Sequence, residues 1–307
     1  RAADEAAAKE RQAADEAKVK KESEAPPPNG STWVKRDAGT KMGGDELEEL
    51  FACTGVISAR WLVDFIEGRV MPERRGVLPA WQELPANAFV SVSELRRSTY
   101  KSGLPIAVFS YGWAGRRHPD PTGEQLRRAL PALKSMVNGK DGAWGSTPDW
   151  GLVIDYAAYP QNLYTGPDPE GDSRTPYQRG RFGKGLKSVN RWYAAPYVTT
   201  LVCDWEMPEG SENTHSIWVR GWCLFERALS SIAKDGWCYL RLSRLPEGAA
   251  GMRWWGEDGD GISGTCSAGA ERPAPEAPDT FGPAMLAGMQ CGELRFTNGK
   301  DATDVCI

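Results

Sequence analysis

Histidine is almost missing from this chain: His118 and His215 are the two among 307 residues. That scarcity leaves histidine-rich metal sites and most Ser-His-Asp schemes without parts. Cysteine is present but badly arranged for cross-linking, with seven residues at 53, 203, 223, 238, 266, 291 and 306 and no C-x-x-C pair. An odd, widely spaced set of this kind argues against a disulfide scaffold or a zinc site. No apolar run approaches the ~20 residues of a membrane span, and no signal peptide is visible, so the expected setting is cytoplasmic with no membrane partner. Charge of one sign is also lacking: 37 basic and 41 acidic residues give a net charge of −4. Such a mild balance offers no basic face for nucleic acid. The chain starts at Arg1 rather than methionine and stops at DVCI, and both ends read as cut.

What is there suits a folded core, with 40% apolar residues and 13 tryptophans. The opening repeats AADEA at 2–6 and 13–17. Alanine, glutamate and lysine favour helix, yet no apolar stripe is present to bury, so this arm reads as a solvated helix, a weak coiled coil or a frayed coil. EAPPPNGS closes it as a linker, giving a first segment of 1–31. Residues 32–103 read as a helical cap packed on the next domain, or alternatively as a small independent helical module, with short amphipathic helices at Asp45–Phe51 and Arg60–Glu67 and a segment entering another at Phe89–Arg97.

From Leu104 the pattern changes. LPIAVFSY (Leu104–Tyr111) reads as a buried parallel strand, followed by the loop GWAGRRHPDPTG. Asp120-Pro121 announces a helix, which Pro131 is expected to kink or end. WGLVIDY (Trp150–Tyr156) is a second strand, leading into a long mobile loop. RFGKGLKSVNRWYA (Arg181–Ala194) is a helix, YVTTLVC (Tyr197–Cys203) a third strand and WCYLRLS (Trp237–Ser243) a fourth, with CGELRFTNG a candidate fifth. Alternating strands and helices predict an α/β fold with an open, mostly parallel sheet over 104–245. A flexible insertion at 246–283 and a remnant of the sheet domain at 284–307 complete the chain. Within the insertion, GEDGDGISG lacks the offsets and terminal glutamate of a calcium loop.

Ligands of such sheets gather at the carboxyl ends of the strands. Ser110, Trp113, Arg116, Arg117, Asp155, Gln161 and the start of the next helix all lie on that rim by construction. That helix is RGWCLFERALSSI, in which Trp222, Phe225, Leu229 and Ile232 form an apolar stripe at three- and four-residue spacing. Glu226 falls about 80° from the middle of the stripe, at the edge between core and solvent, where a carboxylate's pKa can be tuned. Arg116 and Arg117 suit phosphate oxygens or are a solvated loop pair. Asp155 can orient a ribose or cap the turn after its strand. Gln161 can bond an amide or fix its own loop. Trp113 and Trp222 are candidates for stacking on a planar base, Trp222 with a competing place in the core. His118 reads as a loop residue, and nothing basic near Cys223 would activate it.

Three segments, in order, resemble the heterokaryon-incompatibility (HET) domain and its relative, the Toll/interleukin-receptor (TIR) domain. FSYGWAG at 109–115 is similar to the segment that opens HET domains. Asp155 and Gln161 match the spacing of their second segment. RGWCLFERALSSI resembles both the closing HET segment and the W-C-L-x-E-L helix of plant-type TIR domains. The resemblance spans roughly residues 105–243. It implies a flavodoxin-like, TIR-like sheet and a signalling role, with NAD as substrate rather than cofactor and Glu226 as the catalytic residue. It also implies self-association into homo-oligomers, which is the alternative reading as a non-catalytic scaffold. A nucleoside-processing transferase on a similar sheet is the third reading. The long stretch from Cys203 to Trp222 departs from the TIR pattern.

Overall fold

The computed structural model describes residues 10–17, 50–91, 106–137, 149–164, 171–196, 198–254, 260–268 and 278–294. Its frame is a five-stranded sheet flanked by helices: β1 (Ile57–Ser58), β2 (Ile106–Tyr111), β3 (Gly151–Val153), β4 (Thr199–Cys203) and β5 (Tyr239–Arg241). The strands lie in the order β1-β3-β2-β4-β5, with β1 antiparallel to β3 and every other pair parallel. From β2 the chain crosses to β3 on one side, then returns past β2 to β4 on the other, so the direction of winding reverses at the β2/β4 boundary. Tyr111 pairs with Cys203, and these two strands end level, whereas β3 stops opposite Val108.

Alternation along β2 divides the core. Ala107 and Phe109 join the cluster that contains α1 (Ala59–Ile66) and α2 (Glu124–Val137), while Ile106 and Val108 join the cluster on the opposite face. That second layer holds α3 (Pro176–Ser188) and α4 (Asn190–Ala194), with Trp192 and Tyr193 buried in it. Pro131 does not end its helix. Leu126, Ala129, Ala132, Leu133 and Met136 carry one buried face straight across it, and that burial outweighs the one backbone bond a proline removes.

Elsewhere the structure departs from the sequence pattern for identifiable reasons. Residues 57–58 are an edge strand of the sheet itself and not only a helical cap packed on it, and Trp61, Leu62 and Phe65 of α1 belong to the sheet's core, so this part is no independent module. The second expected strand is only three residues long, because Asp155 opens a helical turn (Asp155–Ala158). The expected helix at 181–194 is two helices. The first begins earlier, where Thr175 and Gln178 form a reciprocal capping box around Pro176. The described parts of 246–268 pack on the core: Trp254, Ile262 and Cys266 are buried, and Ser135 Oγ donates to the Met252 carbonyl at 2.9 Å. Residues 291–294 form a turn after α6 (Pro278–Gln290). The remainder of the candidate fifth strand lies outside the described residues, as do 45–49 and 92–97 of the expected N-terminal helices. The arm is helical at 10–17, and its buried Asp15 accepts a 2.6 Å bond from Gln178 Nε2. No helix among the described residues is long and apolar enough to cross a membrane.

Candidate functional site at the end of the central strand

The RGWCLFERALSSI segment forms α5 (Gly221–Ala233), but with its sides exchanged. The side against the sheet is the polar one. Cys223 Sγ donates to the Tyr111 carbonyl at 3.6 Å, Ser230 Oγ bonds Thr200 Oγ1 at 2.9 Å, and Lys234, just past the helix, donates to the carbonyls of Trp192, Ala195 and Val198. Most of the apolar stripe lies toward the outside: Trp222 and Phe225 are half-buried and Ile232 is 59% exposed, whereas Leu229 packs against the second core cluster. Phe225 meets Trp222 edge-on at 6.3 Å and stacks on Phe281 of α6 at 6.1 Å. Trp222 is thus part of an outer aromatic contact.

Glu226 sits on the sheet-facing side, one turn from both Cys223 and Ser230. Its Oε2 accepts a 2.6 Å bond from Ser110 Oγ at the end of β2. Part of the residue is accessible, yet its carboxyl is desolvated, and that burial pushes its pKa up to about 8, with the nearby Asp155 charge adding to the rise and the bonds from Ser110 and Tyr193 opposing it. The Tyr193 hydroxyl also donates to the Phe109 carbonyl at 2.7 Å. Burial raises the Cys223 thiol well above its ordinary value, which makes it an inert neighbour.

Asp155 anchors a second group on the other side of β2. Its carboxylate accepts from the Tyr111 hydroxyl, from Trp113 Nε1 at 2.9 Å and from the Tyr156 amide at 2.6 Å. Burial raises its pKa and these donors oppose the rise. Gln161 joins through its side-chain amide, which donates to the carbonyls of Asp155 and Tyr159, while its own backbone is held by Gln82. Three of the expected residues, Trp113, Asp155 and Gln161, therefore come together, as a brace for the strand ends. Arg116 and Arg117 stand apart and exposed, with their guanidinium groups 5.8 and 5.2 Å from the ring centre of Tyr164.

The stretch between β4 and α5 lies over this rim. Buried Arg220 holds it, donating to the carbonyls of Trp113 (2.7 Å), His215 (2.9 Å) and Asn213 (3.0 Å). Contact is so close at Gly112 that a Cβ there would stand 2.9 Å from Arg220 Cζ and 3.0 Å from Met207 Sδ. Among the described residues no group of three or more His, Cys, Asp or Glu could hold a metal ion. Comparison with protein families, curated proteins and solved structures gives no match.

Ser110 and Glu226, both expected on the rim, are brought together, and Tyr193 and Arg220, which had no expected role, join them there. Arg220 stood within the quoted segment, and its signal was a lone cation at the mouth of an apolar helix. Tyr193 had no local signal, because only the packing of α4 against α5 brings it to the carboxyl.

Proposed function

We propose that this sheet is of the flavodoxin-like, HET/TIR kind and that Glu226 works on the ribose of a dinucleotide, hydrolysing the nicotinamide–ribose bond of NAD. The observation that carries this reading is the Ser110–Glu226 pair, 2.6 Å apart at the carboxyl end of the central strand, beside the β2/β4 reversal. Ligands of open α/β sheets bind at such reversals. A desolvated carboxyl aligned by a serine hydroxyl fits the chemistry. As the glycosidic bond lengthens, positive charge develops on the ribose, and a carboxylate beside it stabilises that charge. Water then adds to the ribosyl cation, giving ADP-ribose, nicotinamide and one proton. The free acid holds a proton at neutral pH, since its pKa is about 8. The cationic nicotinamide-ribose favours its ionised form on binding.

The test is nicotinamide release from NAD by the purified chain, with Glu226→Gln as control. Release that the substitution abolishes supports the reading, and equal release by both proteins, or none, overturns it. A second reading, a non-catalytic self-association module, is favoured by the segment that Arg220 holds over the rim. Mass that grows with concentration, without turnover, would support it. Nucleoside exchange in place of NAD loss would instead point to a transferase.

A further inference from the structure

The loop that leaves β2 carries Gly115-Arg116-Arg117, and an acid from the segment between β4 and α5 rests on it. Inside the loop the Ala114 and Gly115 amides are already used, donating to the carbonyls of Pro119 and His118 at 2.8 and 3.2 Å. The Arg116 amide instead donates to Glu212 Oε2 at 3.3 Å. So close is the approach that a Cβ at Gly115 would stand 2.7 Å from that oxygen and 3.0 Å from Glu212 Cδ. Glycine here lets an anionic group lie against the main chain, the same freedom that phosphate-binding loops at strand ends use.

The two arginines beside this contact are placed by one ring. Their guanidinium groups lie 5.8 and 5.2 Å from the ring centre of Tyr164, and stacking of this kind keeps such groups near one another with their donor edges available. Tyr164 is itself held in an uncommon conformation, with a φ of 51°. That left-handed backbone costs a residue with a side chain about 1–3 kcal/mol. Asn162 maintains it: its Oδ1 accepts from the Tyr164 amide at 3.1 Å and from the Ser173 amide and hydroxyl at 3.0 and 2.8 Å, and its Nδ2 donates to the Gly171 carbonyl at 3.0 Å. Asp172, in the same stretch, is taken up by Arg174 at 2.9 Å. Glu212 is exposed and makes a single hydrogen bond among the described residues, the one from the Arg116 amide. A carboxylate so held is a weak occupant. A group with more charge and more oxygens, set on the same amide and within reach of the guanidinium forks, displaces it.

We infer that Gly115, Arg116 and Arg117 form a subsite for a diphosphate group, and that Glu212 occupies it as a competitor carried by the chain itself. The class of ligand rests on the reading of this rim as a dinucleotide site, since a diphosphate joins the two nucleosides of such a substrate. Displacement needs only the Glu212 side chain to swing away. The neighbouring Asn213 stays tied, its amide donating to the Ala114 carbonyl at 2.8 Å and its carbonyl accepting from Arg220 at 3.0 Å.

Calorimetric titration of the whole chain with inorganic pyrophosphate, at fixed ionic strength, tests this. Glu212→Gln keeps an oxygen for the Arg116 amide but removes the competing charge, and it should bind pyrophosphate on the order of tenfold more tightly than the parent. The gain should disappear when Arg117→Ala is added, and it should be absent from Glu209→Gln, which removes another exposed acid of the same segment. Equal affinity of the parent and Glu212→Gln overturns the inference, as does an equal gain in Glu209→Gln or a gain that survives Arg117→Ala. Amide NMR of the parent gives a reading that needs no variant. Pyrophosphate should move the Arg116 amide signal, and a signal that stays in place while pyrophosphate binds overturns the site. None of these measurements requires turnover, so a chain that shows this pattern without releasing nicotinamide from NAD fails the Glu226 hydrolysis alone.

Discussion

Single residues carry the chemistry, and Glu226 carries a sign that can be measured. Its pKa in the folded chain is about 8, against 4.5 for the unconstrained group. The folded chain therefore holds an extra proton between those values, and stability falls as pH rises through that window. Urea unfolding at pH 5.5 and 8.5 should show a larger loss in the parent than in Glu226→Gln, by on the order of a few kcal/mol. The proposed hydrolysis runs the other way: kcat/KM for NAD should climb as pH passes about 8, because the free protein must shed that proton. Asp155 belongs to a different kind of position. Replacing it with asparagine leaves Tyr111, Trp113 or the Tyr156 amide short of an acceptor and should cost about 1–3 kcal/mol in denaturant unfolding.

Among the elements, α5 shows how a helix can be amphipathic with its polar side inward. Cys223, Glu226, Ser230 and Lys234 find partners on the sheet and on α4, so the buried side is held by hydrogen bonds where an apolar stripe would be expected. Lys234 shows what this arrangement demands. Three carbonyls accept from its ammonium, yet burial lowers its pKa to about 7 from 10.5. Its contribution to stability is present above the unfolded value and is lost as pH falls through about 7. Lys234→Met should flatten the stability profile between pH 10 and 7, as followed by chemical unfolding. The segment between β4 and α5 depends on one side chain in the same way. Arg220→Ala removes the bonds to Trp113, Asn213 and His215, and limited proteolysis should then cut within 204–219 at least tenfold faster, as expected for a local opening eased by about 1.4 kcal/mol.

For the whole molecule, the change of pattern at Leu104 is misleading as a folding boundary. β1 pairs with β3, and Trp61, Leu62 and Phe65 belong to the same core as Leu133 and Leu152. A chain starting at residue 104 should therefore lack a cooperative thermal transition in circular dichroism, whereas the full chain shows one. The four parallel strands were legible in the sequence because each is a short apolar run closed by turn residues, and burial on both faces demands that composition. The two-residue edge strand was not legible, since Ile57–Ser58 has no pattern of its own and is defined only by pairing with Leu152 and Gly151. The same division runs through the candidate site. The sequence by itself determined the rim: Ser110 at the end of β2, Glu226 on the helix after β4, and Asp155 and Gln161 just after β3. Tertiary structure decided their company. Which side of α5 meets the sheet depends on hydrogen-bond partners supplied by β2, β4 and α4, and such partners, unlike apolar periodicity, leave no trace within the helix's own sequence. The packing of those elements set Glu226 between Ser110 and Tyr193, made Asp155 a brace, and sent Arg116 and Arg117 to Tyr164.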